Sequence, residues 1–439
     1  MPDTAWHMQG NWEPILSEIK STKLDVHGTI PEALNGTYIR TGPNPGNGAS
    51  PHWFQGDGMV HGIRLRDGQA EWYRNAFIKT DILASGEPRM DPTDLQLGTA
   101  NTSIHTHNGK ILSLMESAWP WRIDEDLNTV GVENFGGKLT CAMTAHPKVC
   151  PVTGELLAFS YFQFEPPYLR YIRIGADGEV KAIEPIDIPN MVMMHDFAIT
   201  RHYAVFLDLP LVFDLELLAT GIPFGFKREA GARIGVMPRN GGNADVRWFE
   251  IEPCYVFHTV NAYEDGQKII LTGSRLKSTM EAASSDYSEN GVLWRWELDL
   301  QTGAVKETQL DDCAADFGRV NDGLVGLPAR HGYLMELGGD GSSDEPVYGN
   351  RLLKYDLESG TRQAHSLGET VRGGEPVFVA TGDGEDEGYI MTIVHDEATG
   401  VSSFVIVDAQ DFEAAPVASV DLPQRVPYGA HGNWIPLST

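Results

Sequence analysis

Glycine-ended turn triplets recur along the whole 439-residue chain, and they constrain its fold more than any other feature. Arg66-Asp67-Gly68, Val152-Thr153-Gly154, Ala176-Asp177-Gly178, Glu264-Asp265-Gly266, Gln301-Thr302-Gly303, Glu358-Ser359-Gly360 and Ala398-Thr399-Gly400 each end on the residue that takes positive φ without steric cost. Most stand between short apolar or alternating runs that read as strands: residues 155–162, 267–272, 389–394 and 402–407. Amphipathic helical patterns are scarce. The best runs from Leu211 to Thr220, with Gly221 as its stop signal. Many short antiparallel strands joined by glycine turns make a sandwich, a barrel or a propeller. At this length a propeller is favoured, because blades add without enlarging one core. No WD or kelch signature is present, and no clean period of about 40–50 residues. No linker divides the chain, so the expectation is one all-β domain over residues 1–439. The acidic run GDGEDEG at 382–388 reads as a solvated loop tip.

Composition removes several functions. The chain carries 33 Lys+Arg against 61 Asp+Glu, a formal charge of −28. Such a surface repels phosphate backbones and argues against nucleic acid as a partner. Hydrophobic residues at 41% suffice for a large packed core. The stretch from Met1 to Trp12 has neither the basic nor the apolar region of a leader, and no apolar run reaches about 18 residues. The expected location is therefore cytoplasmic. Cys141, Cys150, Cys254 and Cys313 form no C-x-x-C pair and read as reduced, mostly buried thiols. A nucleophile elbow, a phosphate-binding P-loop, an H-E-x-x-H motif and a dinucleotide fingerprint are all lacking.

The 14 histidines say more. Four sit in apolar or small-residue settings: Thr144-Ala145-His146-Pro147, Met194-His195-Asp196-Phe197, Phe257-His258-Thr259-Val260 and Ala430-His431-Gly432-Asn433. A buried imidazole needs partners for both nitrogens. One reading is four separately hydrogen-bonded core histidines. The other is a shared site. The separations of 49, 63 and 173 residues are too wide for a local metal motif, yet they suit a radial fold whose blades each send one side chain inward. His7, His27, His202, His365 and His395 read as surface-like, without a role.

These motifs, with Asn35-Gly36-Thr37-Tyr38-Ile39-Arg40 and Gly56-Asp57-Gly58-Met59 upstream, resemble the carotenoid cleavage oxygenase family over nearly the whole chain. That family includes lignostilbene and isoeugenol oxygenases and the retinoid isomerohydrolases. The resemblance implies a seven-bladed β-propeller capped on one face by loops and helix. It implies a non-haem Fe(II) dioxygenase that cleaves a C=C bond with O₂ into two carbonyl products. By motif the iron ligands are His146, His195, His258 and His431. Neutral imidazole suits ferrous iron, with positions left open for O₂. Three acids would accept hydrogen bonds from ligand rings: Glu116 from His195, Asp316 from His258 and Glu375 from His431. Asp316 departs from the usual Glu, and one missing methylene shortens its reach by about 1.5 Å. The backbone moves in, a water bridges, or His258 is held less firmly.

The resemblance also speaks to substrate. Lignostilbene-type members grip a phenolic hydroxyl with a Lys just before the first acid and a Tyr in a Tyr-x-x-Thr segment. Here those positions hold Met115 and Phe77. A site built to bond a hydroxyl discriminates for it by roughly 10⁴-fold or more, so losing both handles favours a carotenoid or apocarotenoid over a hydroxystilbene. A phenylpropanoid alkene oxygenase, an isomerohydrolase and a non-catalytic lipophile-binding propeller stand as alternatives. Phe77, Met115, Trp119, Phe164 and Phe257 are candidate tunnel residues. The apolar segment from Leu209 to Phe226 is either a helix packed on the propeller or a weak peripheral membrane contact at an inner membrane face.

Overall fold

Strands supply nearly all the regular structure. The computed structural model describes residues 5–86, 93–220, 222–280, 290–338 and 347–437. Among these the one α-helix is Asp81–Ser85, beside short 3₁₀ turns. All seven glycine triplets turn the chain between antiparallel strands, each with its glycine at φ between +58° and +82°. The strands read from the sequence form as Leu156–Ser160, Lys268–Leu276, Gly388–Asp396 and Val401–Asp408.

Sequence-local meanders follow one another along the chain. Ser103–His107 opens a four-stranded sheet, Lys148–Val149 a second and Ala198–Ile199 a third. Tyr255–Asp265 opens a seven-stranded sheet. Its central strand, Val305–Arg319, changes partner along its length. The first part pairs with Val292–Asp299, the last with His331–Leu337. The two remaining large sheets join early and late chain. Asp25–Gly28 pairs with Ala418–Asp421, and Gly36–Pro43 lies between Gly58–Arg66 and Gly432–Pro436. Hydrophobic side chains between neighbouring sheets form the core. Its largest group contains Phe159, Tyr171, Phe197, Phe206 and Trp296, all fully buried.

Some readings change. The segment from Leu211 to Thr220 is not an α-helix. Leu211–Phe213 pairs with Phe224–Phe226 as a hairpin, and only Leu215–Thr220 winds, as 3₁₀. Val212 and Phe213 gain more from cross-strand pairing than from a short helix. Gly221 lies outside the described residues. His7, His365 and His395 are buried rather than surface-like, each against one oxygen at 3.0 Å: Ser50 O, Phe412 O and Ser402 Oγ. The acidic run is only partly solvated. Glu385 accepts the Arg330 and His331 N–H groups at 2.7 Å, and Asp386 pairs with Lys354 at 2.8 Å. The cysteines are free thiols, three of them buried.

The joint between early and late strands leaves no room at Gly36. A Cβ there would lie 2.4 Å from the Trp434 ring and 2.7 Å from the Ile435 carbonyl. Gly36→Val should therefore destabilise the fold by about 1–3 kcal/mol. A melting midpoint equal to wild type would contradict this account of the joint.

Candidate metal centre

Each of the four singled-out histidines belongs to, or just precedes, an edge strand of a different sheet. His146 precedes Lys148–Val149, His195 precedes Ala198–Ile199, and His431 precedes Gly432–Pro436. His258 lies within Tyr255–Asp265, where the ladder shifts register between Val256 and Thr259 and again before Asn261. Four edges thus deliver four imidazoles to one buried point. Their exposures are 6–8%. His146 Nε2 lies 3.0 Å from His195 Nε2, which lies 3.2 Å from His258 Nε2. One ring nitrogen from each of the four falls within 4.8 Å of all the others.

The outer nitrogens face carboxylates. His195 Nδ1 is 3.0 Å from Glu116, His258 Nδ1 3.1 Å from Asp316, and His431 Nδ1 3.0 Å from Glu375. At His431 the hydrogen bond to Glu375 holds the proton on Nδ1 and turns the Nε2 lone pair inward; at His195 and His258 the carboxylates stand at ion-pair distance, without hydrogen-bond alignment. Lone pairs meeting at about 3 Å repel unless a cation lies among them. The spacing suits one: ligand nitrogens about 2.1 Å from a metal and at right angles are about 3.0 Å apart, against about 3.4 Å for a tetrahedron. The donor set therefore fits a transition metal that keeps open positions.

Local charge tunes the rings differently. Burial, then the neighbouring imidazoles, holds His146 far below the ordinary histidine range. Burial also lowers His431 despite Glu375. His258 is raised, because burial is outweighed by Asp316, Asp196 and Glu375. Burial would raise Glu375, but His431, Arg319 and the Gly432 N–H bring its carboxyl down to about 2.

Asp316 reaches His258 directly because the backbone moves in. The strand pairing slips between Asp316 and Arg319, and Phe317 takes φ +58°. A Cβ on Gly318 would lie 2.5 Å from Val260 Cγ2, so glycine lets the two strands approach closely beside the acid.

Cavities approach the cluster from two sides. Residues preceding the histidines in the chain, among them Met193, Phe257 and Ala430, line an apolar cavity of 150 Å³. Residues following them, among them Lys148, Asp196, Thr259 and Gly432, line a second cavity of 580 Å³ whose walls mix polar and apolar groups. Met115 and Phe257 face the apolar cavity as expected. Phe77, Trp119 and Phe164 do not line it. Phe77 pairs across the strands with Met59 and packs on Ile15. Trp119 packs on the core group around Leu112 and Leu139. Phe164 is 46% exposed and stacks edge-on with Phe162 and Phe213. The sequence reading missed Trp53, Phe54, Leu276, Phe317 and Tyr348. Two signals were within reach: Phe317 directly follows Asp316, and Trp53-Phe54 lies one residue ahead of the Gly56-Asp57-Gly58 motif.

The fold and site define an all-β protein whose clustered histidines can hold a metal ion. Residues 12–436 match the family model described as retinal pigment epithelial membrane protein. A carotenoid cleavage oxygenase of Mycobacterium tuberculosis is 36% identical, covering 98% of this chain and 97% of the relative. A carotenoid 9,10(9',10')-cleavage dioxygenase of Crocus sativus is 35% identical over 98% of this chain and 89% of its own. Among solved structures, Pseudomonas brassicacearum lignostilbene dioxygenase superposes with TM-score 0.88 at 29% identity, covering 99% of each chain. Cobalt-substituted Synechocystis ACO gives TM-score 0.85 at 27% identity over 97% of each. The chain belongs to the carotenoid cleavage oxygenase family.

The arrangement predicts stoichiometric uptake of one divalent transition-metal ion under anaerobic loading. Metal analysis should find none retained by His258→Ala. Asp316→Asn should bind about 10–100-fold more weakly. Wild-type affinity in Asp316→Asn would refute a supporting role for that acid.

Proposed function

We propose that this protein is a non-haem Fe(II) dioxygenase that cleaves a C=C bond of a carotenoid or apocarotenoid. His146, His195, His258 and His431 hold the iron, with Glu116, Asp316 and Glu375 orienting three of the rings. The iron, when bound, supplies the activation of O₂: one alkene and one O₂ yield two carbonyl products. The named relatives, both carotenoid-cleaving, support the reaction class.

The polar inventory of the apolar cavity is the observation that carries the substrate assignment. Asn101 donates to Phe54 O and Gly56 O, and Thr102 donates to Asn101. Asn290 donates to Gly338 O, and Tyr348 to Gly429 O. Their donors are thus engaged inside the protein, the Glu116 and Asp316 carboxylates that also line the cavity stand against His195 and His258, and Met115 stands where a phenol-gripping Lys would. Phe257, Phe54, Leu276 and Phe317 offer an apolar surface that positions an alkene and excludes water.

Three further readings complete the proposal. The chain is one seven-bladed propeller over residues 1–439. The early and late strands sharing sheets support this, as does the strand Val305–Arg319 serving two successive blades. The location is cytoplasmic, at the inner face of a membrane. Among the described residues no helix is long and apolar enough to cross one. Contact is peripheral and hydrophobic, through the hairpin between Leu209 and Phe226. Leu215 there is 69% exposed, and Phe164 stands beside Phe213. A phenylpropanoid alkene is the second reading, favoured by the likeness to the lignostilbene enzyme.

A chromatographic screen of iron-loaded protein against polyenes and hydroxystilbenes decides between substrates. Polyene turnover with aldehyde products is expected, and Met115→Lys should shift activity toward hydroxystilbenes. Turnover of stilbenes alone would overturn the polyene assignment. Sedimentation with neutral vesicles, insensitive to salt, should weaken in the double variant Phe164→Asp/Leu215→Asp. Equal sedimentation of this variant and wild type would remove the hairpin from the membrane account.

A further inference from the structure

A fourth buried acid stands at the centre that no ring faces. Asp196 directly follows His195, and its side chain is almost fully shielded from solvent. Its Oδ1 accepts from Lys148 Nζ at 2.8 Å and from the Phe197 N–H at 2.8 Å. Its Oδ2 accepts from both the N–H and the hydroxyl of Thr259 at 2.8 Å. Thr259 directly follows His258, and Lys148 lies two residues after His146. One carboxylate therefore joins the chain just beyond three of the four histidines, and those histidines come from three different sheets.

We propose that Asp196 is a positioning residue that locks His146, His195 and His258 at a common spacing through Lys148 and Thr259. The inference rests on the metal-centre reading above and adds a residue to it. Apolar packing between sheets is non-directional and does not by itself fix where a ligand nitrogen points. Four ligands on four sheets need that direction fixed. Directional bonds to a charged acceptor are roughly twice as strong as neutral ones, and here four such bonds converge on two oxygens. A second tie runs parallel: Thr144 Oγ1 accepts the His146 N–H at 3.1 Å and donates to the His195 carbonyl at 3.4 Å. Asp196 and Lys148 both line the larger cavity, away from the apolar one where an alkene would lie. The lock therefore acts on the metal and not on substrate.

The test compares wild type with Asp196→Asn, Lys148→Met and Thr259→Val for Co(II) binding in air-free buffer, well below each melting midpoint. Only folded protein is then compared. Asp196→Asn is expected to bind Co(II) about 10–100-fold more weakly, with altered visible absorption bands reporting displaced ligands. Lys148→Met and Thr259→Val each remove one arm and should shift both readouts in the same direction by less. They carry the test if Asp196→Asn fails to fold. Variants that melt earlier yet keep wild-type Co(II) affinity and absorption would overturn the proposal, leaving Asp196 as an ion pair for stability alone. A wild-type protein that takes up no Co(II) would instead overturn the metal centre, and the lock with it.

Discussion

Four inward-facing imidazole lone pairs, brought to one buried point, are the constraint on which the rest of this structure depends. Without a cation they repel, and burial denies them water. The charges around them have the sign that a cation needs. Glu116, Asp316, Glu375 and Asp196 surround the rings with four carboxylates. Arg319 beside Glu375 and Lys148 beside Asp196 supply two positive charges. The balance is negative, all the more because Arg319 also pairs with Asp322 at 3.3 Å, and a divalent ion offsets it. A site of four neutral ligands thus draws its balancing charge from the acids behind them.

The sheet architecture serves this convergence. An edge strand has a free side, so its leading residues can turn into the centre without breaking a ladder. His146, His195 and His431 sit just ahead of such strands, and His258 sits where its strand slips register. One consequence is a division of the centre into two faces. Side chains before the histidines are apolar and wall the smaller cavity. Side chains after them bring polar and charged groups, Lys148, Asp196 and Thr259, to the larger one, beside apolar Val149, Ile199 and Val260. The acids do not divide this way: Glu116 and Asp316 line the smaller cavity, where they stand against His195 and His258, and Glu375 lines the larger one.

Much of this was legible in the chain, for reasons that are local. Gly68, Gly154 and Gly400 announce hairpins because positive φ is a property of one residue. The contexts of His146, His195, His258 and His431 carry the family signal because apolar neighbours around a polar ring are unusual in any chain. What was not legible depends on distant partners. Separations of 49, 63 and 173 residues do not reveal that four rings meet. Phe77 reads as a tunnel residue by alignment, but Ile15 and Met59 decide which way it packs. The segment from Leu211 to Thr220 has helical spacing, but Phe224–Phe226 offers it a strand partner. The reach of Asp316 required a backbone answer, a positive φ at Phe317 and a register slip, that no side-chain pattern encodes. Asp196 lay in a quoted motif, yet its ties to Lys148 and Thr259 exist only in three dimensions.

The central claim is oxidative cleavage of an alkene at an iron held by these four histidines. Isotopically labelled dioxygen tests it most directly, with iron-loaded protein, a polyene substrate and immediate reduction of the products to alcohols to prevent exchange with water. The account predicts that one O₂ is consumed for each bond cleaved and that both products carry the label. Product formed without O₂ uptake, or with oxygen drawn from water, would contradict it.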